Sequence, residues 1–208
     1  SGSLYGSIET PMLPEDSPFP FTDELPELPF ALNGSFDWLG NLPSFDSHIG
    51  RRKAGELTAQ LSAAKTSAEQ QGFALPQEFA SFVLNPELHQ HLRSSTDCYL
   101  SLTESVLQVL GGSLLRFLAD SQGAVYWYLF LNSDGSDHCV VSSFEYFDAD
   151  QMDYEPEEIQ ESDFRFEAES FEAFLCRFWL VNEISFAEDE GDPLPNVEPR
   201  FLELYNPY

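Results

Sequence analysis

The sequence predicts an α+β domain in which helices pack beside a mostly antiparallel sheet. Two observations support this. Residues 113–144, "SLLRFLADSQGAVYWYLFLNSDGSDHCVVSSF", hold three short apolar runs separated by two polar breaks, the pattern of an antiparallel meander. Apolar stripes at helical spacing stand before it (54–71 and 75–91) and after it (169–187), so helices and strands are segregated along the chain.

Residues 1–53 read as a Pro/Phe-rich acidic arm. Its first 50 residues carry half of the 14 prolines, eight acidic residues and no Lys or Arg. Each proline removes a backbone donor and biases its predecessor away from helix, so no long regular element is expected. Phe19, Phe21, Leu25, Leu28, Phe30, Phe36, Trp38 and Phe45 are too many apolar anchors for a free linker. The arm is expected to lie extended across the domain, burying its rings; a docking peptide for another protein is the alternative.

The domain itself is expected over residues 54–187. Ala54, Leu57, Leu61, Ala64 and Ala68 recur every three or four residues, predicting a helix over 54–71 that Gly72 stops. In "ALPQEFASFVLNPELHQHL", Pro76 suits a first helical turn, Phe79, Phe82 and Val83 share a face, and Asn85-Pro86 starts a second short turn. "DCYLSLT" (97–103) predicts a strand. The meander follows, with strands over 114–119, 125–131 and 138–144; its middle strand is apolar on both faces, as expected of one covered on both sides. "EYFDADQMDYEPEEIQESD" reads as an exposed acidic loop. "FRFEA" then gives a brief strand, and Phe171, Phe174, Leu175, Phe178, Val181 and Ile184 line a long helix with Ser170 as its N-cap. Residues 188–208 form a Pro-rich tail with one short packed segment. The expected core includes Leu61, Phe79, Phe82, Leu115, Phe117, Trp127, Leu129, Phe174 and Phe178.

Nine Lys and Arg against 36 Asp and Glu set a net charge of -27. Nucleic acid and anionic lipid are both held by cations, so neither is expected as a direct partner; a basic protein is, although such a charge also serves solubility. No apolar run is long enough to span a membrane. "SGSLYGSIETPM" lacks the basic and apolar regions of a leader, and the odd count of cysteines (Cys98, Cys139, Cys176) without C-x-x-C spacing fits free thiols, so a cytoplasmic location is expected.

Motifs for chemistry are weak. "SAAK" (62–65) matches S-x-x-K without the companion motifs of penicillin-binding enzymes. His89 and His91, two apart, point different ways on a helix and are expected at the surface rather than on a metal. The spacing of Asp148, Asp150 and Met152 departs from a calcium-binding loop. His138 and Cys139 are strand neighbours facing opposite sides. No catalytic residue, cofactor or metal site is therefore expected.

Three pieces in order, "LPQEFASFV" (75–83), "GGSLLRFLADSQGAVYWYLFLNSDGSDHCVVSS" (111–143) and "SFEAFLCRFW" (170–179), resemble the SUKH superfamily, which is named for a yeast cell-wall regulator and includes many bacterial immunity proteins. The resemblance covers roughly residues 54–187. It implies an α+β binding module rather than an enzyme, with a toxin domain, often a nuclease, as partner. The arm and the acidic stretch after residue 144 depart from the pattern. Partner binding is expected at the acidic loop, through Asp148, Asp150, Asp153, Glu155, Glu157, Glu158 and Glu161. A nucleic-acid mimic that blocks a DNA-binding protein, or a regulatory adaptor of a basic protein, is the alternative.

Overall fold

The computed structural model describes residues 27–150 and 156–205. Phe19, Phe21 and Leu25 of the arm lie outside them. The order of elements is helices, strands, helices: α1 (Leu57–Gln70), α2 (Gln77–Val83), α3 (Pro86–His89), β1 (Tyr99–Leu100), β2 (Leu107–Val109), β3 (Gly112–Ala119), β4 (Tyr126–Leu131), β5 (His138–Ser143), β6 (Arg165–Ala168), α4 (Phe171–Asp189) and α5 (Pro199–Tyr205). The fold is α+β. Every strand pairing is antiparallel, in the order β1-β3-β4-β5-β6, with β2 also paired to β3.

Local chemistry explains most element ends. Helix α1 begins at Leu57 rather than Ala54, because residues 51–56 form turns in which Lys53 pairs with Glu56 at 2.7 Å. Its buried stripe is Leu57, Leu61, Ala64 and Ala68, and Gly72 at φ +92° takes the left-handed position past its end. Ser170 caps α4 by accepting the Ala173 N–H at 3.1 Å. The predicted strand over 97–103 contracts to Tyr99–Leu100, and the chain makes a strand at 107–109 that was not foreseen. Val109 pairs with Gly112 across a two-residue loop, Leu110-Gly111, with both residues at positive φ (54° and 72°), the signature of a type I′ hairpin.

Strand β3 does not alternate throughout. Arg116 pairs with Tyr128 and Leu118 with Trp127, so Phe117 is an extra residue on β3. This bulge turns Leu115, Phe117 and Leu118 all toward the main core. That core lies between the sheet and the helices, where Phe79, Phe82, Phe117 and Phe171 meet edge to face with centroids 5.0–6.1 Å apart. All the expected core residues are buried there except Trp127, which is half-buried against its edge.

The chain preceding α1 contributes to this core. Phe36, Trp38, Leu39 and Ile49 are buried in it, with Leu28, Phe30, Leu32 and Leu42 packed at its margin. Phe30 stacks on Trp38 at 5.3 Å, and both contact Trp179 of α4. The attachment is made by Glu172, which is 2% exposed in the first turn of α4. Its carboxylate accepts the N–H groups of Gly34 (2.6 Å), Phe36 (3.0 Å) and the Trp38 indole (3.2 Å).

Candidate protein-binding surface

The opposite face of the sheet has its own apolar layer. Tyr128 and Phe130 of β4, Leu114 of β3, and Cys139 and Val141 of β5 point away from the helices, as the two-residue period of a strand requires. They are covered by Phe147, Ile159 and Phe164 and by Leu107 and Val109 of β2. The acidic stretch is thus not simply an exposed loop: two of its apolar residues, with Phe164 just after it, roof the sheet.

Hydrogen bonds hold this roof down. The Tyr128 hydroxyl donates to Glu145 O (3.0 Å) and accepts from Phe147 N–H (2.8 Å). Ser143 Oγ donates to Asp163 O at 2.6 Å. Tyr146 packs edge-on to Tyr126 and against the Arg116 guanidinium, 4.6 Å from its ring centroid. Burial pushes the Tyr146 phenol up from its ordinary pKa, and its hydrogen bond to Asp148 adds to the shift.

The acids named from the sequence divide by environment. Asp148 is 7% exposed and occupied within the protein, its carboxylate accepting the Tyr146 hydroxyl (2.8 Å) and Asp150 N–H (3.0 Å). Asp150 is exposed and accepts the Ser105 hydroxyl at 2.8 Å. Glu158 is exposed at the end of a 3-10 turn, Pro156–Glu158, that rests against β2. Glu161, half-buried, opens a second turn, Glu161–Asp163, whose Asp163 carboxylate accepts Gln160 N–H at 2.8 Å. Asp153, Glu155 and the side chain of Glu157 lie outside the described residues.

Sequence reasoning missed Phe144. Its ring is 56% exposed at the point where β5 leaves the sheet, beside exposed Glu145, and it carries the Arg165 guanidinium 4.4 Å above its centroid. Ser143, its neighbour, is bonded to Asp163, so the exposed ring stands between the two ends of the acidic stretch. No Lys or Arg occurs between Arg116 and Arg165. A projecting aromatic next in sequence to an exposed acid, with an arginine on one face of its ring and a hydrogen-bonded base beneath it, has the exposure an interface anchor needs.

The groups able to do chemistry are differently placed. Cys139 and Cys176 are fully buried, and burial pushes both thiols up to about 12; Cys98 is shifted in the same direction. His138 Nε2 lies 2.9 Å from Glu78 Oε1. His89 is not at the surface: it is 2% exposed, its Nε2–H donates to Phe82 O at 2.8 Å, and Gly50 packs so closely on its ring that a Cβ there would overlap it. His91 Nδ1 lies 3.0 Å from Pro43 O. Among the described residues no group of three His, Cys, Asp or Glu side chains is placed to hold a metal ion, and no helix is long and apolar enough to cross a membrane.

No family model, curated protein or solved structure matches the chain.

Proposed function

We propose that this chain is a non-enzymatic binding module of the SUKH kind. It captures a basic protein through Phe144 and the acidic stretch around it, as an immunity protein neutralises a toxin domain with a cationic cleft. The observation that supports this most is an exposed aromatic at the root of an acidic stretch whose two ends are tied to the sheet by hydrogen bonds, which lowers the ordering cost of association. Charge does the steering and the ring supplies the contact that holds the complex. A pure nucleic-acid mimic has no use for an exposed phenyl ring beside its acids, so Phe144 favours the immunity reading over the mimic.

The test is co-expression with a basic toxin domain that is lethal when expressed alone. This reading expects restored growth and an isolable complex, both weakened by Phe144→Ala combined with charge reversal at Glu145, Asp150 and Glu158. Absence of protection by the unaltered chain, with both proteins folded, would refute it.

A further inference from the structure

Arginine is scarce in this chain, and two arginines stand side by side with no ion pair among the described residues. Arg51, Arg52 and Lys53 are three of the nine basic residues and are consecutive. Lys53 is paired with Glu56, and Arg93, Arg177 and Arg200 also hold ion pairs. Arg51 and Arg52, both exposed, form none among the described residues. Lys65, Arg116 and Arg165 form none there either; what sets Arg51 and Arg52 apart is that they are adjacent and line one groove.

The two arginines line a polar groove of about 630 Å³ together with His48, Ser94, Tyr99 and Ser121. Its walls come from distant parts of the chain: the turn before α1, the loop before β1, and the β3–β4 turn. The Arg52 guanidinium lies flat to the Tyr99 ring at 4.2 Å, which steadies the fork. Arg51 uses one nitrogen on Asp46 O (3.1 Å), leaving its other N–H groups available to the groove. The Ser94 hydroxyl is fixed as acceptor of the Cys98 and Thr96 N–H groups at 3.0 and 3.2 Å.

His48 stands in the wall of the groove. Its Nδ1 is buried and has no hydrogen-bond partner among the described residues, although buried polar atoms are nearly always paired. Burial and the nearby Arg51 both lower its pKa, and Asp46 opposes them. An anion in the groove would offset the arginine field at the imidazole. Asp97 also lines the groove and narrows the choice, since an anion must gain enough from two guanidiniums to overcome it.

We propose that this groove binds the phosphate group of a small phosphorylated molecule. A tetrahedral dianion offers acceptors in several directions and suits two guanidinium forks, an imidazole and hydroxyls better than a flat carboxylate does. The volume falls within the range of about 300–1,000 Å³ for small-ligand pockets. The overall negative charge does not forbid it, because at physiological salt the field is screened beyond about 8 Å and the nearest charges are the two arginines against the single carboxylate of Asp97. The groove shares no lining residue with the Phe144 surface, so this proposal is independent of the binding function.

The experiment is a titration of the full chain with inorganic phosphate at pH 7.5 and constant ionic strength, following the His48 imidazole by NMR. Saturable movement of the His48 signals is expected, with a rise in its pKa, and R51Q or R52Q should each weaken binding at least tenfold while leaving the melting temperature unchanged. Acetate at equal concentration should not compete. A response that fails to saturate, that acetate reproduces, or that survives both substitutions would overturn the proposal.

Discussion

Glu172 makes the most quantitative prediction. Its buried carboxylate accepts three N–H groups from residues 34–38 and has no cationic partner at bonding distance among the described residues. Replacing it with Ala leaves Gly34 N–H, Phe36 N–H and the Trp38 indole without an acceptor in a site closed to water. Hydrogen bonds to a charged group contribute about 1.5–3 kcal/mol each, but three on one carboxylate are not independent, so Glu172→Ala should cost about 3–5 kcal/mol. Glu172→Gln keeps one acceptor oxygen and should cost about half as much. At roughly 2–4 °C per kcal/mol for a chain of this size, the Ala variant should melt about 6–20 °C lower. Urea unfolding with tryptophan fluorescence is the assay, since Trp38 packs on Trp179 and both should become wetter. Ser170→Ala, which removes only the helix cap, is the control and should cost about 1 kcal/mol without moving the emission. A Glu172→Ala variant within about 1 kcal/mol of the parent with unchanged emission would refute the reasoning, because each exchanged hydrogen bond alone should exceed that.

Two further predictions follow from buried groups. His89, lowered to about 4 by burial, stays neutral when folded while the unfolded residue titrates near 6.5, so the unfolded state binds the extra proton between those values. Its contribution is present above about pH 6.5 and falls by about 3 kcal/mol as pH drops to about 4; subtracting the pH–stability curve of His89→Gln should isolate that slope, and a flat difference would contradict it. Cys139 and Cys176 should resist a thiol-reactive disulfide reagent at pH 8 in the folded protein and react on unfolding, whereas rapid reaction of either without unfolding would show that its burial is transient.

The parts legible in the sequence were those with a regular period. The stripe Leu57, Leu61, Ala64, Ala68 and the runs 114–119, 125–131 and 138–144 announce helix and strand because their side chains meet one surface at regular intervals. Strand β2 escaped because Leu110 occupies a left-handed turn position that Asn or Gly usually signals. The bulge at Phe117 escaped because two successive apolar residues are compatible with either face. The roof over the second face was hidden by spacing: Phe147, Ile159 and Phe164 stand far apart in acidic text, and only the sheet beneath brings them together. Phe144 was read as the last residue of a strand, and its exposure depends on where pairing stops, at Ser143. The Glu172 clip joins residues more than 130 positions apart and leaves no local trace.

The most direct test of the binding account is the association rate with the basic toxin domain that the chain protects against, measured by stopped flow at low and high salt. Electrostatic steering of the kind proposed typically raises association about 10- to 1,000-fold at low ionic strength. The account predicts that reversing Glu145, Asp150 and Glu158 removes most of that acceleration, and that the parent and reversed proteins converge at high salt. Phe144→Ala should instead leave the association rate near its parent value and speed dissociation by tenfold or more, as loss of an interface anchor does. Equal association of parent and reversed proteins at low salt, together with unchanged dissociation of Phe144→Ala, would contradict it.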